Sequence, residues 1–363
     1  MNIPLNRPFL PSKEEYDTYT NEIWQRNWLT NHGPLVREFE NKVADFLNIP
    51  EFIFMNNGTT SLLVALKALD VKGEVITTPY SYVATTGSIV WQNCRPVFAD
   101  INADTLTIDP LKIESLITDR TSAILATHVY GNPCDVESIG EIAAKHHLKV
   151  IYDAAHCFGV TYKGKSILQW GDASIISFHA TKLFHTTEGG GMYSKNNSIM
   201  EKARYMMNFG HDGPYNFKCE GINGKNSEFH AAMGLCNFFH VTDILDRRKR
   251  QVNQYKGELE NQLVEFQKIR KHTDPNYAYF PVIFETSDIC SEVANQLAGT
   301  GVETRRYFTP SLNRLSYIKE AGSLPVAEDI SERVLCLPLY HELKSDEISY
   351  VCRGITKALK SRV

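Results

Sequence analysis

The chain has 363 residues, of which 43% are hydrophobic and 22% are charged, and its formal net charge is −4. These values are typical of a globular protein with a large core, and they argue against a nucleic-acid-binding protein, which would carry a basic patch. No uninterrupted apolar run approaches the ~18 residues of a membrane span, and the N-terminus lacks a signal-peptide pattern. The eight cysteines form no Cys-x-x-Cys pair, so we expect reduced thiols in a cytoplasmic protein and no metal site.

Short apolar runs alternate with helical patterns over the first two thirds of the chain. Strands are predicted at residues 52–56, 74–78, 95–99, 122–128, 148–152, 173–178 and 191–194. Helices are predicted at residues 36–47, 60–69, 82–92 and 136–147. This alternation predicts an α/β fold with a mostly parallel sheet that helices cover on both faces.

The pattern changes after about residue 225. Two helices are predicted at residues 228–239 and 241–265, and they are followed by a strand at 277–285, a helix at 289–298, a strand near 302 and a helix at 345–359. We therefore predict a large domain of residues 1–240 and a smaller C-terminal α+β domain of residues 241–363. The basic run at 246–250 lies among acidic residues, which indicates a solvated helix face rather than a nucleic-acid site.

A lysine and an aspartate follow two of the predicted strands. Lys182 lies between the strand at 173–178 and a run of three glycines, and Asp153 directly follows the strand at 148–152. The carboxyl ends of parallel strands line the ligand crevice of an α/β sheet, so both side chains could face one crevice. A lysine that forms a Schiff base and an acid that pairs with a ring nitrogen are what pyridoxal 5'-phosphate (PLP) requires. Taken alone, each residue could be a solvated loop residue or a helix cap.

Three further elements of the sequence would suit such a cofactor. Gly58, Thr59 and Thr60 lie between a strand and a helix, where unpaired N–H groups can bind a phosphate, although simple capping by Thr59 is an equal alternative. Ser177 could add another hydroxyl. Tyr82 follows the next strand and could stack on a flat ring, whereas its neighbour Tyr80 is as well explained by core packing.

Motifs across nearly the whole chain resemble one family, the DegT/DnrJ/StrS sugar-nucleotide aminotransferases, which are PLP enzymes of fold type I. The matching motifs include Asn57-Gly-Thr-Thr-Ser61, Pro79-Tyr-Ser-Tyr-Val-Ala-Thr85, Asp153-Ala-Ala-His156, Ser177-Phe-His-Ala-Thr-Lys182 and Gly221-Ile-Asn223. Two segments depart from the family pattern, namely Met207-Asn-Phe-Gly210 and Thr304-Arg-Arg-Tyr-Phe308. Both lie near the site that the family uses for the sugar nucleotide.

The resemblance implies a role for each matched residue. Lys182 would be the catalytic Schiff-base lysine, Asp153 the partner of the pyridine nitrogen, and His156 the neighbour of the cofactor's ring and phenolic oxygen. Tyr82 would stack on the ring. The phosphate would be held by Gly58, Thr59, Thr60, Ser177 and, from the neighbouring subunit, Asn223, which implies a homodimer with shared sites. Substrate contacts would come from Asn31, His185, Arg305 and Tyr307.

The resemblance also implies a reaction. The amino group of L-glutamate would pass to C4 of a nucleotide-linked 4-keto-6-deoxy sugar, in first place dTDP-4-keto-6-deoxy-D-glucose, for O-antigen or related glycan synthesis. A 3-aminotransferase acting on a 3-keto sugar and an enzyme for a GDP-linked 4-keto sugar are alternatives. A PLP-dependent sugar dehydratase typically has His in place of the lysine, so Lys182 argues against it. A non-catalytic regulatory homologue would not need an intact lysine, aspartate and set of phosphate-binding residues, so the presence of all three argues against this alternative.

Overall fold

The computed structural model describes residues 2–319 and 322–360. Thirteen strands lie in these ranges: β1 (Ile53–Met55), β2 (Glu74–Thr77), β3 (Arg95–Phe98), β4 (Thr121–Thr127), β5 (Lys149–Asp153), β6 (Thr161–Tyr162), β7 (Lys165–Ser166), β8 (Ala173–Ser177), β9 (Gly190–Tyr193), β10 (Val264–Phe266), β11 (Thr273–Asp274), β12 (Pro281–Phe284) and β13 (Val334–Cys336). The same ranges contain eleven α-helices: α1 (Lys13–Arg26), α2 (Pro34–Leu47), α3 (Gly58–Ala68), α4 (Val83–Trp91), α5 (Val136–His146), α6 (Asn197–Met206), α7 (Glu228–Phe238), α8 (Val241–Leu259), α9 (Ser287–Gly299), α10 (Pro325–Arg333) and α11 (Ser345–Lys360).

A seven-stranded sheet forms the centre of the larger part of the molecule. Its strand order is β1-β9-β8-β5-β4-β2-β3, and every neighbouring pair is parallel except the two pairs that involve β9. Strands β2 and β9 are buried along their whole length, as expected for a sheet that is covered on both faces. The predicted α/β class and mostly parallel sheet are therefore confirmed.

Helix α2 shows how the sequence places a helix on this sheet. Proline at its first position fits a helix start, and Leu35, Phe39 and Val43 are buried at the spacing of one helical face. The buried carboxylate of Glu228, on α7, accepts hydrogen bonds from the backbone N–H groups of Leu35 and Val36 at 2.9 and 3.0 Å. Because these N–H groups have no partner within the helix, Glu228 fixes the start of α2 to α7.

A second, antiparallel sheet has the order β10-β12-β13 and packs with α8, α9 and α11 around its own core. Helix α8 contributes to both cores, since Val241 and Ile244 pack with the large sheet and Val252 and Tyr255 with the small one. The division of the chain at residue 240 stays a prediction. Within the described ranges, no helix combines the length and the apolar character that a membrane crossing needs.

Three predicted elements of the C-terminal part differ from the structure. The helix predicted at 241–265 ends at Leu259, because Val264 and Phe266 pair with β12 instead of continuing α8. The strand predicted near 302 is a single bridge to Ile3. The strand predicted at 277–285 begins only at Pro281, because the backbone turns at Tyr277, where φ is +54°. That turn directs the following residues towards the large sheet.

Candidate functional site

The carboxyl ends of β5 and β8 and the start of α3 enclose a cavity of about 440 Å³. Asp153 is the last residue of β5 and Ser177 the last of β8, and the two strands are adjacent and parallel. His156 and Lys182 follow these strands, and both also line the cavity. The structure thus brings together the two groups that the sequence pattern singled out, at the edge of the sheet where parallel strands end.

Lys182 lies in a loop that hydrogen bonds hold against the end of β8. The N–H of Phe178 donates to the carbonyl of Gly189, and the N–H of Ala180 donates to the carbonyl of Thr187, both at 2.8 Å. The Nζ atom of Lys182 donates to the hydroxyl of Tyr279 at 3.2 Å. Tyr279 was not among the predicted site residues. It comes from the chain segment just before β12, and its sequence surroundings give no sign of this contact.

Asp153 is almost fully buried and has a partner for each carboxylate oxygen. Oδ2 accepts a hydrogen bond from the Thr85 hydroxyl at 2.7 Å, and Oδ1 accepts one from the N–H of Ala155 at 3.1 Å. The Thr85 hydroxyl continues a chain to those of Ser81 and Thr127, at 2.7 and 2.9 Å. Burial raises the pKa of Asp153, while the Thr85 hydrogen bond partly opposes this rise. A cation placed beside Asp153 would favour its ionised form.

His156 is a neutral hydrogen-bond donor towards the cavity. Its Nδ1 atom accepts a hydrogen bond from the N–H of Tyr130 at 3.1 Å, so Nδ1 carries no proton. Burial lowers the pKa of His156 well below its usual value, and the charge of Lys182 lowers it further. The single proton of the neutral ring therefore resides on Nε2, which can donate to an oxygen of a bound ligand.

The start of α3 forms a cradle suited to an anion. Asn57 is the N-cap, and its Oδ1 accepts the N–H of Thr60 at 2.7 Å, so the expected alternative of capping by Thr59 does not occur. Thr59 and Ser177 line the cavity beside Gly58, the first residue of the helix. A Cβ atom at Gly58 would lie 3.1 Å from Cβ of Ser177, so glycine allows this close approach. Thr60, also predicted to hold the phosphate, is buried and does not line the cavity, and its backbone N–H is already donated to Asn57.

Of the two tyrosines that follow β2, one lines the cavity and the other does not. Tyr82 lies just before α4, lines the cavity and is 60% exposed, so a face of its ring is open to a ligand. Tyr80, in contrast, is fully buried, and its hydroxyl contacts that of Tyr130 at 2.7 Å. Core packing, which the sequence left open for Tyr80, is therefore its role here.

Arg305 and Tyr307 line the side of the cavity that the C-terminal part of the chain contributes. The guanidinium carbon of Arg305 lies 5.6 Å from the centre of the Tyr307 ring. Both residues, with Thr181 and Tyr279, also line an adjacent cavity of about 420 Å³. The two residues predicted to contact substrate therefore stand between two neighbouring spaces, and Arg305 supplies a cation to both.

Three other predicted residues do not line the cavity of their own chain. Asn31 and Asn223 are exposed in loops, and the Asn223 Oδ1 atom accepts a hydrogen bond from Lys225 at 3.0 Å. His185 is buried, with Nε2 at 2.7 Å from the carbonyl of Phe9 and Nδ1 accepting the N–H of Thr187 at 3.1 Å. Both ring nitrogens of His185 are engaged, so this side chain has no free group for a substrate.

Comparison with known proteins agrees with this geometry. The model of the DegT/DnrJ/EryC1/StrS aminotransferase family matches residues 11–356. The chain belongs to this family. It is 41% identical to the dTDP-4-amino-4,6-dideoxy-D-glucose transaminase of Shigella dysenteriae over 362 residues, with 97% of each chain covered. It is 37% identical to the protein of the same name from Escherichia coli over 370 residues, with 99% of each covered.

A solved relative has the same fold. The crystal structure of DesI in the presence of its TDP-sugar product superimposes with a TM-score of 0.94 at 32% identity, covering 99% of this chain and 94% of that one. The protein is therefore a PLP-dependent sugar aminotransferase of the DegT/DnrJ/EryC1/StrS family, as the sequence motifs indicated.

The donor set of the cavity fits PLP. The start of α3 and the hydroxyls of Thr59 and Ser177 offer uncharged donors for a phosphate. The buried carboxyl of Asp153 suits a protonated ring nitrogen, and the exposed face of Tyr82 suits a flat ring. The primary amine of Lys182 suits an aldehyde. These four kinds of group lie around one cavity, in the combination that the family's cofactor requires.

Proposed function

We propose that the protein transfers the amino group of L-glutamate to C4 of dTDP-4-keto-6-deoxy-D-glucose and yields dTDP-4-amino-4,6-dideoxy-D-glucose. The observation that carries this proposal is the meeting of Lys182, Asp153 and the anion cradle of α3 in one cavity. The choice of sugar is supported by the two relatives named for this product, which match almost the whole chain. We infer that the product serves O-antigen or related glycan synthesis.

The residues divide the work between holding the cofactor and moving protons. Gly58, Thr59 and Ser177 would hold its phosphate, Tyr82 would cover its ring, and His156 would donate from Nε2 to its phenolic oxygen. When bound, PLP supplies an electron-withdrawing ring that stabilises negative charge at the carbon from which a proton is removed. Asp153 would hold the proton on the ring nitrogen through its negative charge, since an opposite charge favours the charged form.

Lys182 performs two tasks in this proposal. Its Nζ atom would hold the cofactor before the amino donor arrives. The free amine would act as a base that takes the proton from the α-carbon of L-glutamate, and in the second half of the reaction it would act as an acid that delivers a proton to C4 of the sugar. Arg305 is placed to attract an anionic group of a substrate, because it lines both cavities.

We propose that the active unit is a homodimer with shared sites. The segment 207–224, which carries Asn223 near its end, exposes Phe209, Tyr215, Phe217 and Ile222, and Tyr215 is 94% exposed. Such an exposed apolar group is typical of an interaction surface. A second copy of the chain would cover it and bring the exposed amide of Asn223 towards the partner's phosphate. In the same way the exposed loop that carries Asn31 would reach a substrate in the partner's cavity.

A cytoplasmic location is part of the proposal. All eight cysteines lie in the described ranges and are free thiols, and seven of them are buried. Free buried thiols fit a reducing compartment such as the cytoplasm.

A product assay with several acceptors tests the function. The purified protein, supplied with PLP and L-glutamate, is offered dTDP-linked 4-keto and 3-keto sugars and a GDP-linked 4-keto sugar, and each product is analysed by mass and NMR. We expect amination of the dTDP-linked 4-keto sugar, with the new amine at C4. Amination at C3, or a preference for the GDP-linked acceptor, would replace the proposed substrate. Loss of a hydroxyl without gain of nitrogen would indicate a dehydratase.

A further inference from the structure

Tyr279, from the segment that precedes β12, contacts Lys182 directly. Its hydroxyl accepts a hydrogen bond from Lys182 Nζ at 3.2 Å, and Nζ lies 5.8 Å from the centre of its ring. The ring packs edge-on against His156, with the two centres 4.8 Å apart. Tyr279 lines both cavities, so its side chain forms part of the wall between them.

Two buried side chains fix the backbone that carries Tyr279. The Nδ2 atom of Asn276 donates to the carbonyls of His156 and Phe158, both at 2.9 Å, and its Oδ1 accepts the N–H of Ala278 at 3.1 Å. On the other side, Nη1 of Arg248 donates to the carbonyl of Ala278 at 3.1 Å. The segment before β12 is thus tied to the His156 loop and to α8 at the same point.

The guanidinium of Arg248 shows how firmly this backbone is held. Arg248 is 4% exposed, and burial lowers its pKa to about 10. Burying a cation against backbone carbonyls costs free energy, which only a well-defined geometry recovers. The backbone beside Tyr279 is therefore held by hydrogen bonds from two buried side chains, Asn276 and Arg248.

We propose that Tyr279 is a positioning residue for Lys182. The Tyr279 hydroxyl holds the Nζ atom of Lys182 in place whenever this amine is not bonded to the cofactor. The proposal rests on the role of Lys182 given above. A lysine has a flexible four-carbon stem, and the cavity of about 440 Å³ offers it many orientations. A fixed acceptor limits these orientations, so the amine stays ready both to attach the cofactor and to exchange protons with the substrate carbon.

The test compares Tyr279→Phe, which removes only the hydroxyl, with Tyr277→Phe as the matched control. Tyr277 lies two residues away in the same segment, and its ring packs on the small-sheet core. Each protein is freed of cofactor and mixed with PLP at a series of concentrations, and covalent attachment is followed by its visible absorbance. The fit gives a limiting attachment rate and a half-saturating PLP concentration.

For Tyr279→Phe we expect the limiting attachment rate to fall about tenfold, which corresponds to about 1.4 kcal/mol, the size of one hydrogen bond. The half-saturating PLP concentration should not change, because the phosphate cradle is untouched. Tyr277→Phe should match the wild type in both quantities. In single turnovers with L-glutamate, Tyr279→Phe should lower the rate without weakening donor binding, and α-deuterated glutamate should show a larger isotope effect than in the wild type.

Three results would overturn the proposal. An unchanged limiting rate in Tyr279→Phe would show that the hydroxyl does not hold the amine. A rise in the half-saturating concentration alone would show that Tyr279 shapes the cavity rather than positions Lys182. Peptide mass analysis after reduction identifies the attachment residue. If PLP is bound covalently at another residue in the wild type, the function proposed for Lys182 fails, and the role of Tyr279 fails with it.

Discussion

Replacing Asp153 by Asn removes the negative charge beside the cofactor's ring nitrogen with almost no change in the shape of the side chain. The amide oxygen can keep the hydrogen bond from the N–H of Ala155, and the amide nitrogen can donate to the Thr85 hydroxyl, which then donates to Ser81. Burial raises the pKa of Asp153 in the wild type, so a neutral amide is not expected to cost stability. The variant should therefore fold, and its effect should lie in the chemistry.

The magnitude follows from the lost charge. An opposite charge in contact shifts a pKa by roughly 1–3 units, and each unit corresponds to about 1.4 kcal/mol. Without the carboxylate, protonation of the cofactor's ring nitrogen loses roughly 1.4–4 kcal/mol, and we expect turnover to fall by about ten- to a thousandfold.

The assay measures 2-oxoglutarate formation at saturating PLP, with the cofactor content and the thermal unfolding midpoint determined in parallel. Asp172→Asn is the matched control, because Asp172 also contacts the sheet, through the N–H of Val150 at 2.7 Å, but precedes β8 at the opposite edge. It should retain activity. Near wild-type turnover in Asp153→Asn would refute the reasoning, since Asp153 would then be a structural acid.

Three further changes test other parts of the proposal. Lys182→Ala should abolish transamination, while circular dichroism and light scattering should show that the fold and the dimer survive. Persistent turnover would disprove the role of Lys182 as the Schiff-base lysine. Asn223→Asp should be severely impaired, because its carboxylate repels the phosphate. If so, mixing it with Lys182→Ala should restore activity, since each mixed dimer then has one intact site. No recovery despite proven subunit exchange would show that Asn223 does not serve the partner's phosphate. His128 is fully buried, and burial lowers its pKa to about 3. Below its ordinary pKa of about 6.5, the histidine therefore binds a proton in the unfolded chain but not in the folded one. The free energy of unfolding should accordingly decrease as the pH falls below about 6.5. By pH 5 this histidine should lower the free energy of unfolding by about 2 kcal/mol. In His128→Asn, the free energy of unfolding measured with urea should depend less on pH. An unchanged pH dependence would contradict a buried neutral histidine at this position.

The parts of the site that the sequence predicted share one physical origin. Asp153 and Ser177 are the last residues of two parallel strands, and Lys182 follows the second of them. Because parallel strands end at one edge of a sheet, the local pattern was enough to place these residues together. The fold class followed from the same alternation of strands and helices. His185 was expected to contact substrate from the family resemblance alone, and its buried, fully bonded ring shows that such a resemblance does not determine where a side chain points.

The parts that the sequence did not predict depend on long-range packing. Tyr279 reaches Lys182 across 97 residues of chain, through a backbone turn at Tyr277 and the support of Arg248. No local periodicity carries that information, and the same turn explains why β12 begins later than predicted. Asn31 and Asn223 lie in exposed loops, so their role depends on a second chain rather than on the fold of one.

The row of hydroxyls behind Asp153 lets the site accommodate either charge state of this acid. Thr85 and Ser81 can each donate in one direction along the row and accept from the other, and Thr127 lies at the end of the row. When Asp153 is ionised, the row donates towards it, and when Asp153 is protonated, the hydroxyls of Thr85 and Ser81 can donate in the opposite direction. Rotation of O–H bonds thus lets the row keep its hydrogen bonds to Asp153 as the acid loses or gains its proton.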